Sequence, residues 1–241
     1  MIGRVYRRSP VGPRLRMEGV IGAAGFASGD RVVVGLWTRS PVGPLADVMW
    51  ASPTGVRTLH VGSSAGADFI TSVYEFDDVV VDPGLAVEGD GRSLAVSLPA
   101  VDAVVTMIAG PGWHIPPPRR PAWVTRWVER PLARALMGVE TYGVSPRGVE
   151  EWYQATAWRP VVTARATVAG RDLGGLAAID PPARFGFSEP PRTPSITEVR
   201  PLLGFPPRSV NPHAHPRPTR IDRSVRGRGG RSRRAPSAPA G

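Results

Sequence analysis

Lysine and cysteine are both absent from this 241-residue chain; all 30 of its basic residues are arginine. Without lysine there is no Schiff base to a carbonyl or to PLP, and no ammonium for a phosphate loop. Without cysteine there is no thiol nucleophile, disulfide, iron–sulfur cluster or thiolate zinc site. Histidine is scarce as well: His60, His114, His213 and His215 are the four. The two in the body of the chain are too few for a three-histidine metal site, and His213 and His215 form only a weak Pro-His-Ala-His-Pro pattern. No apolar run approaches the ~18 residues that a membrane-spanning helix needs. There is no Gly-x-Ser-x-Gly elbow, so a serine triad would have to recruit His60 or His114. The expectation is a protein with no metal and no cofactor, and non-catalytic rather than enzymatic. Acid-only chemistry stays open, because two carboxylates suffice for some reactions.

What the chain has in quantity is glycine (28), proline (28), valine and arginine, with a formal net charge of +10. The charge is segregated. Residues 206–241 hold nine arginines against Asp222, so +8 of the total lies in that stretch. Val210, Ile221 and Val225 are its only large apolar side chains after Pro206, too few to offset the entropy of ordering it. The reading is a disordered Arg/Pro/Gly-rich tail over 206–241. Residues 14–205 are then one domain of ordinary size. Residues 1–13 form a basic arm: Arg7-Arg8 is cut off from the mildly apolar stretch 20–27 by Pro10, Pro13 and Glu18, which argues against an export signal. The hexapeptide Arg8-Ser9-Pro10-Val11-Gly12-Pro13 recurs at 39–44, and two similar turns flanking a first hairpin are expected.

From 14 to 110 most of the pattern has period two, the signature of strands. Strands are expected at 31–38, at 45–52 and 56–63 around the turn Pro53-Thr54-Gly55, and at 76–82. A hairpin over 85–88 and 93–98 should use Asp90-Gly91 for its positive φ values, with a further strand at 101–109. A short helix fits 67–74, where Phe69, Ile70, Val73 and Tyr74 fall at helical spacing. The period changes at 121–137: Trp123/Trp127 and Leu132/Leu136 are four apart, and Arg126, Arg130 and Arg134 share another line. Pro131 interrupts this helix. Strands resume at 139–144, 149–157, 161–168, 183–187 and 196–202. About a dozen short strands with a helical insertion give a mainly β fold class. The architecture expected is an antiparallel β-barrel, calycin- or lipocalin-like in general form, or a sandwich.

The candidate sites follow from chemistry. Gly22-Ala23-Ala24-Gly25-Phe26 resembles the glycine turn of nucleotide-sugar epimerases over five residues. Ser28 stands at its third glycine position, however, and a β-branched run follows where a helix is required, so a glycine-rich strand end is the reading. Among the acids, Glu75, Asp77, Asp78 and Asp82 read as a solvated edge. Asp47 shares a strand face with Leu45 and Met49 and, if inward, needs a partner; Arg57 on the next strand is the candidate. Trp113, Trp123 and Trp127 lie among Arg119, Arg120, Arg126, Arg130 and Arg134 and form the aromatic part of the candidate ligand site, with Asp47 and Arg57. Arg226, Arg228, Arg231, Arg233 and Arg234 form a segment that resembles the Arg-Gly stretches of RNA-binding proteins, which bind polyanions through phosphates.

The function expected is therefore a binding protein whose barrel holds an apolar or amphipathic small molecule. The alternative is an accessory protein that meets nucleic acid or an anionic membrane surface through its arginines. The expected location is the cytoplasm, with peripheral membrane contact under the alternative.

Overall fold

The structure, a computed structural model, describes residues 14–114, 142–145, 147–186 and 190–206. The expected arm 1–13, the helix 121–137 with Trp123 and Trp127, and all of the tail after Pro206, including Arg226, Arg228, Arg231, Arg233 and Arg234, lie outside the described residues.

The fold is mainly β. A large sheet runs through β6 (Asp78–Val81), β5 (Arg57–Val61), β4 (Leu45–Ala51), β3 (Arg31–Arg39), β2 (Glu18–Phe26), β16 (Ser195–Val199), β13 (Ala155–Val168), β9 (Ala103–Ala109), β8 (Ser93–Leu98) and β7 (Ala86–Gly89) in that spatial order. β10 (Trp113–His114) and β14 (Arg171–Asp172) add to β13, and β15 (Leu176–Ala177) adds to β2. A second, smaller sheet has the order β1 (Arg14–Arg16), β17 (Leu202–Gly204), β12 (Glu150–Trp152), β11 (Tyr142–Val144).

β13 explains the curl. Its first half pairs with β16 and β10 and its second half with β9 and β14, with register shifts between residues 155 and 157 and, on the β9 side, between 161 and 163. Pro160 sits where the partners change, paired with Ser195 at the end of the β16 ladder. The large sheet thereby bends into a half-barrel that brings β7, β8 and β9 over one face of β2, β3 and β4. Val32, Val34, Val48, Trp50, Leu94, Val96, Val105 and Met107 pack together there as a filled core. The other face of the sheet carries Trp37 of β3, Leu45 and Met49 of β4, and Leu59 and Val61 of β5, covered by α1 (Ser64–Thr71) and by Leu203 of the small sheet. Burial on both faces is why β3 reads Val-Val-Val-Gly-Leu-Trp instead of alternating with polar residues.

Several elements depart from the sequence-based expectation. The helix starts at Ser64, not at 67, because Ser63 caps it by accepting from the Gly66 N–H at 3.2 Å. β6 lies parallel to β5, since α1 carries the chain back across the sheet before β6 begins. In the β7–β8 hairpin the positive φ falls on Gly89 (141°), while Asp90 closes the turn by accepting from the Arg92 and Ser93 N–H groups. The strand expected over 149–157 breaks at Tyr153 and Gln154, and the one expected over 161–168 begins six residues earlier. Pro201 divides 196–202 into the ends of β16 and β17, which belong to different sheets. Residues 183–186 are not a strand. The second copy of the hexapeptide does form the turn between β3 and β4, with Gly43 at φ 92°; the first copy lies outside the described residues. The stretch 22–26 is strand, as expected. Among the described residues, no helix is long and apolar enough to cross a membrane.

Candidate functional site

β3 and β4 place the first polar group of the site. Their register sets Asp47 opposite Gly35, and alternation turns it to the face shared by Leu45 and Met49. Asp47 is 1% exposed. Two residues along β3 on the same face, Trp37 leans back over Gly35 and donates its indole N–H to Asp47 Oδ1 at 2.8 Å. A Cβ on Gly35 would overlap both that carboxylate and that indole nitrogen, so the absence of a side chain at 35 is what allows the bond. Burial pushes the Asp47 carboxyl up to about 7, against the opposing effect of the Trp37 hydrogen bond.

The small sheet supplies the second acid. In β12 the adjacent Glu150 and Glu151 point to opposite sides. Glu150 accepts from the Tyr142 hydroxyl at 3.0 Å, while Glu151 turns inward and is 2% exposed. Tyr74, just after α1, donates its hydroxyl to Glu151 Oε2 at 3.1 Å. Glu151 Oε1 is buried and has no partner. Burial pushes this carboxyl up to about 7 as well, with the Tyr74 bond acting the other way. Burial also raises the hydroxyls of Tyr74 and Tyr153, and the Glu151 charge adds to both; Tyr74 feels Asp47 too.

These four polar groups share one cavity of about 110 Å³. Its walls are Ile21, Ala23, Val33 and Met49 from the large sheet, Phe69, Ile70 and Val73 from α1 and its following turn, and Phe185. Trp113 and Trp158, paired across β10 and β13, also line it, as do Pro190, Pro191, Ser195 and Thr197. The Trp158 indole N–H is another buried polar atom with no partner. The cavity thus lies on the face of the half-barrel sheet that α1 and the small sheet cover, whereas the face inside the curl carries the buried cluster around Val32, Val34, Leu94 and Met107.

Of the residues expected at a ligand site, Asp47 and Trp113 line this cavity. Arg57 does not serve Asp47. Its guanidinium spans both oxygens of Asp77 (Nη2 to Oδ1 2.9 Å, Nε to Oδ2 3.1 Å) and also donates to the Arg184 carbonyl. The correction has a simple cause: Arg57 pairs with Ala51 at the far end of the β4–β5 ladder, four positions from Asp47. The arginine holds the Asp77 carboxyl down to about 2. Asp82 also departs from a solvated edge, since it is buried and accepts from the Gly84 and Ala100 N–H groups. His60 is buried beside Trp50, with its rings edge-on at 6.5 Å, and His114 is exposed. Among the described residues no cluster of histidines and carboxylates could hold a metal ion.

Glu151, Tyr74, Tyr153, Trp37 and Trp158 were not anticipated from the sequence. One signal was available: two adjacent glutamates in a strand cannot both face water when the strand is covered on one side. Chemically, the site can exchange hydrogen bonds or protons with a small molecule near neutral pH and can surround its apolar part. Comparison with known proteins finds no family model, no curated protein and no solved structure that matches the chain.

Proposed function

We propose that this protein binds a small amphipathic molecule in the cavity between the half-barrel sheet, α1 and the small sheet. The observation that carries the reading is Glu151 Oε1, a buried carboxyl oxygen with no protein donor, on a residue that lines an apolar cavity. Leaving a buried polar atom unsatisfied costs about 1–3 kcal/mol, and a ligand donor would offset it. The size sets the scale of the ligand, because a cavity of about 150 Å³ accepts benzene. A calycin-like use of the curled sheet is part of this proposal, with the ligand seated on its covered face instead of within the curl.

Native mass spectrometry of the intact chain tests the reading by searching for a co-purified mass that is lost on unfolding. A bound small molecule whose occupancy falls on replacement of Met49 by Trp, which would fill the cavity, supports it. A bound molecule indifferent to that substitution places binding elsewhere. Contact of the tail with a polyanion stands as a second proposal, supported by nine arginines against one acid over 206–241.

A further inference from the structure

Resting on the reading of the cavity as a ligand site, we propose that the ligand is a small organic amine, bound as its ammonium ion with an aromatic or aliphatic body. The first support is the charge inventory of the wall. The titratable groups that line the cavity among the described residues are Asp47 from β4, Glu151 from β12, and Tyr74 and Tyr153. No arginine or histidine is among the described lining residues. Among the described residues an anion would therefore meet two carboxyls and no counter-charge, which disfavours carboxylate and phosphate ligands.

The second support is hydrogen-bond geometry. Glu151 takes one donor at Oε2 from Tyr74 and offers Oε1 with none, so the vacancy calls for a donor. An ammonium supplies that donor together with a charge. The third support is the wall itself. Phe69, Tyr74, Tyr153, Trp158 and Phe185 present ring surface, and an aromatic wall attracts a cation that has left water. A neutral alcohol could satisfy Oε1 but would supply no counter-charge to either carboxylate at pH 8, where both are ionised.

The sign of the pH dependence follows. In the empty cavity burial holds both carboxyls near 7, so at pH 6 each is mostly protonated. An ammonium favours the carboxylate, so binding releases a proton and tightens as pH rises through 7. For one group that titrates near 7, affinity should increase roughly tenfold from pH 6 to pH 8, below the range in which the amine itself loses its proton.

Titration calorimetry on the full chain with benzylamine, benzyl alcohol and benzoate at both pH values separates the possibilities. The expected result is that benzylamine at pH 8 binds at least about tenfold more tightly than benzyl alcohol, that benzoate does not bind, and that proton release accompanies amine binding. Glu151→Gln keeps an acceptor for Tyr74 and should abolish the preference for the amine while retaining benzyl alcohol. Should that variant not fold, Asp47→Asn makes the same comparison, and the pH dependence of the unaltered chain stands independently. Benzyl alcohol binding as tightly as benzylamine at pH 8, or amine affinity that does not change with pH, overturns the amine inference and leaves the cavity reading intact. Failure of all three probes at millimolar concentration overturns both.

Discussion

Asp47 and Glu151 are carboxyls whose folded-state pKa lies above the unfolded value, the reverse of the ordinary surface acid. Between about pH 4 and pH 7 the folded protein therefore binds more protons than the unfolded chain does, and stability falls as pH rises through that window. Above 7 both acids are charged in apolar surroundings and the loss is complete. Asp47→Asn or Glu151→Gln should remove that loss, because an amide stays neutral and still accepts from Trp37 or Tyr74. The expected gain is on the order of 1–3 kcal/mol per site at pH 8 and clearly smaller at pH 5, where only the first part of the loss has accrued, read by urea unfolding at the two values. A variant equally destabilised at both would mean that the carboxyl is needed for its hydrogen bonds and not penalised for its charge. Gly35 makes a second case at this scale. Alanine in a strand ordinarily gains about 0.4–1 kcal/mol over glycine through the unfolded state. Here the added methyl meets the Asp47 carboxylate and the Trp37 nitrogen, so Gly35→Ala should destabilise by about 1–3 kcal/mol instead. Denaturant midpoints of Gly35→Ala in the natural and Asp47→Ala backgrounds check the cause, since part of the penalty should vanish when the carboxylate is gone.

The elements most legible in the sequence were those whose periodicity and punctuation agree. β4 and β5 flank Pro53-Thr54-Gly55, with Gly55 at φ 90°, and β7 and β8 flank a glycine- and aspartate-rich turn; both hairpins form where the pattern puts them. β13 was not legible, because Pro160 looks like a terminator and only the change of partner from β16 to β9 makes it compatible with a continuous strand. Residues 196–202 failed for the complementary reason: the apolar pattern runs through Pro201, but the chain leaves one sheet and enters the other there. Asp47 could be singled out as an odd polar residue in an apolar strand. Its true neighbours could not, since Glu151 and Tyr74 come from segments 104 and 27 residues away along the chain. α1 was found by its buried stripe but placed three residues late, because Phe69, Ile70 and Val73 mark the packed face whereas Ser63 marks the start. Removing that cap tests the assignment. Ser63→Ala should cost about 0.5–2 kcal/mol by leaving the Gly66 N–H without its acceptor. Ser63→Asp should restore most of it, whereas Ser64→Ala should have little effect on the unfolding midpoint.

For the whole molecule, charge separates the two proposed activities, which need not depend on each other. The cavity wall is acidic and aromatic, while most of the net +10 lies in residues 206–241. If those arginines meet a polyanion, the interaction is electrostatic and should respond to salt, which the proposed binding of an amine among buried side chains should do far less. Replacing Arg226, Arg228, Arg231, Arg233 and Arg234 together by glutamine keeps length and backbone and removes five charges. Five phosphate contacts to single-stranded RNA predict that log affinity falls against log salt with a slope of about −3.5, and the substituted chain should lose that much of the slope. Fluorescence anisotropy with a labelled oligonucleotide from low to physiological salt measures it. An unchanged slope in the glutamine variant would assign the contacts to other arginines, and flat binding in the natural chain would remove the polyanion from the account. Either result leaves the proposed amine site open to its own test, because the described residues that line the cavity come from β4, α1, β12 and their neighbours.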